Sequence, residues 1–374
     1  KQGQPDWQLL LESLAHLYVR GMKIDWSGFE RDYKHYRVAL PTYPFQRQSY
    51  WLSSTPTAVQ RTVSTTGHPL LGQRLGSALK EIQFESRLSP STPAFLKHHQ
   101  VFDVAVLPAT GYLEMALAAG ALALKSTTLV LEDIVIQSAL IFAESASTQT
   151  LQTIVTPASS EIAGFEIFSV AKNDNYSDEP GSEQVWTSHA KGNIRPGVKA
   201  DPSVNLSKLQ VQCTETIDVE NYYQSLRAQG LDYGDNFQAI QQLWRADRQA
   251  LGYICLPEEL TAEIERFHIH PVLLDACFQT VAAAVTAQDQ TLTYLPTLIK
   301  QMRVFLSPGE SVWCHVQLRK QSKTRGIRVD LSIWDSEGRS IAHIDQLHLL
   351  PVTRERLLGT SQVDWHNWLY QVAW

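Results

Sequence analysis

Two residues able to trade protons near neutral pH stand beside the most apolar segments of this chain: His99 and Asp275. His99 opens the run His99-Gln-Val-Phe-Asp-Val-Ala-Val-Leu-Pro108, and Val101 to Leu107 is β-branched and aromatic enough to form a strand. Pro108 suits the first turn of a helix, where its missing N–H would have no partner anyway. Ala109 to Lys125 is apolar on nearly every face apart from Glu114, which reads as a buried helix. Asp275 lies in a second such helix, His270 to Val285, again entered through a proline. Gln279 follows four residues on, shares the face of Asp275 and can hydrogen-bond it.

Taken singly, each has an ordinary reading. A histidine at a strand mouth is commonly a satisfied structural residue. An aspartate in an apolar helix is costly unless partnered. It either hydrogen-bonds to a loop or stays protonated because desolvation raises its pKa. As a pair, with no metal or cofactor motif beside them, they suit β-elimination of water. The imidazole removes the proton alpha to a thioester, and the acid protonates the departing β-hydroxyl. Each positioned proton transfer contributes about 100- to 10,000-fold. Backbone N–H groups at the Pro108 helix N-terminus are placed to polarise the thioester oxygen. His98-His99 and His268-x-His270 invite a zinc reading, but adjacent histidines point to opposite sides of a strand. No Cys or Glu stands beside them at ligand spacing, so neither a metal nor a cofactor is expected.

The 374 residues suffice for two domains, and 44% hydrophobic with 19% charged residues describes a globular chain with a large core. A net charge of -6 argues against a nucleic-acid binder. The apolar helix at 109–125 is short of a membrane span, so no membrane association is expected. The cysteines, at 213, 255, 277 and 314, show no CxxC spacing, and three lie in apolar runs; this fits a reducing, cytoplasmic setting. The chain opens at Lys1 with neither a methionine nor a signal-peptide pattern and reads as a piece of something longer.

The elements that must position the pair follow from the rest of the pattern. Residues 5 to 20 are amphipathic with helical spacing, and Val38 to Trp51 is an aromatic, proline-containing strap. Ser53 to Gly67 reads as a linker, with a boundary near residue 65. After the 109–125 helix, strands are expected at 129–136, 139–143, 151–155, 164–170 and 184–194; His189 in the last reads as a packed strand residue. Past a linker and a short helix at 220–229, strands at 241–246 and 252–256 precede the second buried helix. Four more follow between 297 and 350. A buried helix with antiparallel strands thus occurs twice, with an echo of His-Pro and a Leu-Leu pair in His68-Pro-Leu-Leu71 and His270-Pro-Val-Leu-Leu274. That order predicts an α+β double hotdog, two antiparallel sheets each wrapped around a long buried helix.

The whole chain resembles the dehydratase domain of modular polyketide synthases. The family's His-x3-Gly-x4-Pro motif is met by His99 and Pro108, with Asp103 where glycine is usual. Its Tyr-Gly-Pro-x-Phe-Gln motif is met by Tyr233 to Gln238, with Asp235 in place of proline. Its Asp-x3-Gln/His motif falls on Asp275 and Gln279, and its later Leu-Pro dipeptide on Leu295-Pro296. The resemblance implies His99 as base and Asp275 as acid. Gln279, Tyr233, Gly234, Pro108, Asp103, Leu295 and Pro296 would bind or orient the substrate. It also implies a β-hydroxyacyl chain on the phosphopantetheine of an acyl carrier protein, a trans-enoyl product, and a homodimer between acyltransferase and ketoreductase domains.

By the same resemblance, residues 1–64 are a post-acyltransferase linker and strap, 65–195 the N-terminal hotdog and 196–212 the link between hotdogs. Residues 213–353 are the C-terminal hotdog, and 354–374 lead to a following domain, with 369–374 as its first strand. Asp103 would be strained if its position needs a positive φ, although Asp tolerates that region better than most residues. Asp235 would add negative charge near the tunnel. The alternatives are an isomerase or ring-forming cyclase on the same fold, and a silent structural module. Arg319, Lys320, Lys323 and Arg325 form either a docking patch for an acidic carrier protein or a solvated turn.

Overall fold

The computed structural model describes residues 5–32, 34, 66–142, 148–159, 161–171, 186–197, 203–285, 292–319 and 326–358. The chain divides into two compact units, Lys1–Val59 and Gln60–Trp374. In the first, α1 (Asp6–Val19) matches the amphipathic pattern, and α2 (Trp26–Phe29) is capped by Asp25, which accepts the Gly28 N–H at 2.9 Å. The strap at 38–51 and the terminal strand at 369–374 lie outside the described residues.

In the second unit, β1 (Gln73–Leu75), β2 (Ile82–Leu88), β3 (His99–Val101) and β4 (Val104–Val106) lead into α3 (Ala109–Leu124). Next come β5 (Leu129–Ile136), β6 (Ile141–Phe142), β7 (Gln149–Pro157), β8 (Ala163–Ala171) and β9 (Thr187–Pro196). The second half opens with α4 (Leu206–Gln212), β10 (Glu215–Ile217), α5 (Val219–Ala228), β11 (Leu231–Tyr233), β12 (Ile240–Ala246), β13 (Gln249–Cys255) and α6 (Glu258–Thr261). Helices α7 (Pro271–Gln279) and α8 (Val281–Ala284) then precede β14 (Thr293–Val304), β15 (Ser311–Leu318), β16 (Ile327–Trp334), β17 (Ser340–Val352) and α9 (Arg354–Leu357).

The long strands form one antiparallel sheet in the order β1-β2-β7-β8-β9-β5-β14-β17-β16-β15-β13-β12-β10. Its first six strands curl around α3, and its remaining strands curl around α7 and α8. The halves join edge to edge where β5 pairs with β14, from Leu298 opposite Val135 to Val304 opposite Leu129. This is a double hotdog. Where one face of the sheet meets the core, alternate residues are buried, as Ile327, Val329, Leu331 and Ile333 are in β16. Thr110 to Gly120 of α3 are all buried, as expected of a helix apolar all round. Gly120 admits Ile194 of β9, whose Cγ2 would lie 2.8 Å from an added Cβ.

Two elements differ from the sequence reading. The strand expected over Val101–Leu107 is a hairpin, because Phe102 and Asp103 take φ of 51° and 67° and fold β4 back onto β3. The second central helix is broken rather than long. α7 ends at Gln279, and Thr280 turns its hydroxyl back to donate to the Ala276 carbonyl at 2.9 Å, a bond that bends helices. The echo of His-Pro and Leu-Leu at 68 and 270 has a physical cause: each histidine caps the turn that follows it. His68 Nδ1 accepts from the Leu70 and Leu71 N–H groups, and His270 Nδ1 accepts from the Val272 N–H.

Gly72, at the end of the first such turn, has φ +73°, and an added Cβ would lie 2.2 Å from the Glu85 carbonyl oxygen. Gly72→Ala is expected to cost more than the roughly 1–3 kcal/mol of a strained backbone position. Urea unfolding of the two proteins checks it.

Candidate active site

The hairpin that replaced the single strand is what aims His99. Its register sets His99 opposite Val106, and His99 Nδ1–H donates to the Val106 carbonyl at 2.8 Å. With Nδ1 committed to that carbonyl, Nε2 is the acceptor nitrogen of the neutral ring. On the other side β11 pairs with β3 and sets Tyr233 opposite His99, their ring centroids 5.7 Å apart. The Phe237 ring packs against the imidazole as well, with centroids 5.2 Å apart.

Asp275 comes from the other half of the fold, on α7. Gln279 Nε2 donates to Asp275 Oδ2 at 2.9 Å and to the Phe237 carbonyl at 3.1 Å. Gln279 Oε1 accepts from the Tyr223 hydroxyl at 3.0 Å, and that hydroxyl accepts the Ile240 N–H at 3.1 Å. These contacts fix the amide so that its nitrogen faces the acid. Asp275 Oδ1 is left facing His99 Nε2 at 3.8 Å. That is too long for a direct hydrogen bond, so both atoms stay available to a third group. Burial pushes the Asp275 carboxyl above its ordinary range, although His99 and the Gln279 hydrogen bond pull the other way. Tyr233 is pushed well above the usual phenol value by burial and by the nearby Asp275 charge.

His99 and Asp275 open into one cavity of about 350 Å³, with a mainly apolar wall that includes Val101, Leu107, Tyr112, Phe278 and Leu349. That volume is typical of a small-ligand site. The wall also carries Gln279, Tyr233, Leu295 and Pro296 from the sequence-based set. Pro108 sits just outside the first turn of α3 rather than within it, and its carbonyl accepts the Gly111 N–H at 2.9 Å; its neighbours Leu107 and Ala109 line the cavity.

Asp103 and Gly234 do not line the cavity. Asp103 occupies the hairpin turn with φ +67°, and its exposed carboxylate pairs with Arg354 Nη1 at 2.9 Å. Gly234 packs on His98, whose Nδ1 would lie 2.4 Å from an added Cβ. Asp235 is exposed at the start of a short turn whose Asn236 and Phe237 are buried, and it does not line the cavity. His189 is packed between sheet and helix, bonded to Ser169 and the Ser138 carbonyl, with its ring stacked on Tyr112. The remaining histidines of the zinc reading serve elsewhere: His268 faces Glu114, and His270 caps α7. The sequence reading missed Tyr223, which holds Gln279. Its one signal is a Tyr222-Tyr223 pair in an otherwise polar helix.

Among known proteins, residues 68–170 match the polyketide synthase dehydratase domain, and residues 201–359 match the family described as polyketide synthase dehydratase N-terminal domain. The dehydratase domain from the CurF module of curacin polyketide synthase is 31% identical at TM-score 0.69, covering 77% of this chain and 100% of that one. Two CurK dehydratase structures at the same identity and TM-score are described as inactive mutants, one aspartate-to-asparagine and one histidine-to-phenylalanine. They cover 76% and 77% of this chain and 99% of their own. The spectinabilin polyketide synthase system protein NorB of Streptomyces orinoci is 27% identical over 97% of this chain and 16% of its own length. Polyketide synthase PksM of Bacillus subtilis is 29% identical over 95% of this chain and 8% of its own. The chain therefore spans a small part of the curated relatives it matches.

A carboxyl whose native pKa is raised stabilises the fold fully below its unfolded value and loses that contribution as pH rises through the folded value. For Asp275 the loss begins above the ordinary value of 3.8. Asp275→Asn, which cannot ionise, should therefore gain in melting temperature relative to the parent as pH is raised from about 4 towards neutral. Paired melting curves across that range check the sign.

Proposed function

The chain belongs to the polyketide synthase dehydratase family, and from that premise we propose that it removes water from a 3-hydroxyacyl thioester on the phosphopantetheine of an acyl carrier protein. The product would be a trans-2-enoyl thioester, and the enzyme a hydro-lyase. The observation that carries this reading is the pairing, in one apolar cavity, of the uncommitted imidazole nitrogen of His99 with a carboxyl oxygen of Asp275 3.8 Å away.

In this mechanism His99 Nε2 takes the proton from the carbon alpha to the thioester. In the first turn of α3 the Gly111 N–H is taken by the Pro108 carbonyl, but the Ala109 N–H has no acceptor within the helix and Ala109 lines the cavity, so that N–H serves the thioester oxygen as charge develops there. Asp275 carries its proton on Oδ1, since Oδ2 already accepts from Gln279, and passes it to the leaving hydroxyl. The elimination is syn. Groups reaching opposite faces of an acyl chain from hydrogen-bond distance would stand about 6 Å apart or more. At 3.8 Å the two must address neighbouring carbons from one side. Tyr233 is held neutral far above physiological pH and can donate to the β-hydroxyl. No metal or cofactor enters the scheme; the pantetheine arm belongs to the substrate.

The inactive histidine and aspartate variants of the CurK dehydratase support the same pair of residue types. The silent-module alternative drew on Asp103, and that carboxylate is exposed and paired with Arg354, away from the cavity. Since the curated relatives are multidomain polyketide synthases, we take the partners to be a carrier protein and flanking acyltransferase and ketoreductase domains, in a homodimer. No described helix is long and apolar enough to cross a membrane; a cytoplasmic setting is part of the proposal.

His99→Ala and Asp275→Asn should each lower turnover by about 100- to 10,000-fold. Gln279→Ala should be milder, because it loosens the acid without removing it. Mass spectrometry of a 3-hydroxyacyl carrier protein, following loss of one water, measures all three. Parental turnover in His99→Ala would refute the base assignment.

A further inference from the structure

The base and the acid belong to different halves of the fold, so their spacing depends on how the two central helices are locked together. Glu114 lies in α3, four residues beyond Thr110 and therefore on the same helix face. Thr110 Oγ1 donates to the Pro271 carbonyl at 3.1 Å, where α7 begins. Glu114 is fully buried and accepts hydrogen bonds on both carboxylate oxygens. Oε1 takes the His268 N–H at 2.7 Å, His68 Nε2 at 3.0 Å and His268 Nδ1 at 3.4 Å; Oε2 takes the Ile269 N–H at 3.0 Å. Two of these donors are the backbone N–H groups leading into the His270 cap of α7. The proposed reaction uses none of them.

We propose that Glu114 is a positioning residue: an anion on the helix of one half that grips the entry to the helix of the other and so sets the His99–Asp275 separation. Charge-assisted hydrogen bonds to backbone N–H are short and directional, and in a dry interior they resist sliding better than apolar contacts do. The anion is well satisfied. Burial pushes the Glu114 carboxyl up, but hydrogen bonds from His268 and His68, with their charge, outweigh it and hold the carboxyl below its ordinary range. From the gripped segment, Asp275 is five residues past His270 along one rigid helix, so a slip at 268–269 moves the acid directly. His68 joins the same oxygen from the turn that precedes β1, tying the start of the N-terminal half into the lock. The proposal rests on the reading of His99 and Asp275 as the reacting pair.

The test compares Glu114→Gln with Leu117→Ala, a destabilising change in the same helix at a buried residue that does not line the cavity. Glu114→Gln puts an amide N–H₂ where one oxygen accepted N–H groups. It should lower kcat on the order of 100-fold, as expected for a misplacement near 1 Å, with KM changed less than roughly threefold. Leu117→Ala should lower the melting temperature while keeping kcat near parental, and Glu114→Asp should recover part of the loss. A fall in kcat for Glu114→Gln no larger than that of a control with equal melting temperature overturns the proposal.

A second readout needs no turnover. A crystal structure of Glu114→Gln should show the His99 Nε2–Asp275 Oδ1 separation changed from 3.8 Å by about 1 Å, with residues 268–270 displaced from α3. An unchanged separation overturns the positioning role. Should Glu114→Gln fail to fold, Glu114→Asp carries both measurements. Parental turnover in His99→Ala and Asp275→Asn would instead refute the reaction assignment, and the measured separation would still judge the lock.

Discussion

A carboxyl group withdrawn from water is the constraint that gives the site its form. An isolated buried carboxylate is expensive, and burial pushes the Asp275 carboxyl above its ordinary range while the fold supplies one good donor, the Gln279 amide. The donor is in turn fixed by Tyr223 and the Phe237 carbonyl, so one oxygen of the acid is committed and the other is free. Directionality in the proton transfer follows from that asymmetry. The same logic holds for His99, whose bond to the Val106 carbonyl commits one nitrogen and frees the other. Both reactive atoms are specified by what their partner atoms are already doing.

The architecture makes this meeting possible. Each half alone is a curled sheet with a helix against its concave face, and neither contains both groups. The β5–β14 pairing fuses the two sheets, and the contact between α3 and α7 brings the helices side by side. The cavity opens where the halves meet, walled by residues of both. The small sheet β11-β3-β4-β6 completes the arrangement, since it borrows Tyr233 from the second half to brace the histidine of the first.

Much of this was legible in the chain. The all-round apolar character of Ala109–Leu124 marked a buried helix, and the four-residue spacing of Asp275 and Gln279 marked a hydrogen-bonded pair. What stayed hidden depended on contacts between distant segments or on local backbone twist. The Phe102–Asp103 turn did not stand out, because its residues are β-branched on either side and lack the usual Asn-Gly signal. Asp103 drew attention as a departure near a catalytic motif, yet its side chain points to an exposed partner 251 positions away. Glu114 read as a mere interruption of an apolar helix; its donors at 68, 268 and 269 could be found only once the chain was folded. The break at Thr280 was missed for a similar reason, since threonine in an alanine-rich helix is tolerated and its back-bond is a local choice.

The account turns on two side chains from separate halves acting on adjacent carbons of one bound acyl group. A crystal structure of the Asp275→Asn protein with a non-hydrolysable 3-hydroxyacyl pantetheine amide tests that directly. The expected result has the alpha carbon against His99 Nε2 and the β-hydroxyl against residue 275, both approached from the same side of the chain. An acyl group seated in another cavity, or a β-hydroxyl turned away from residue 275, would contradict it.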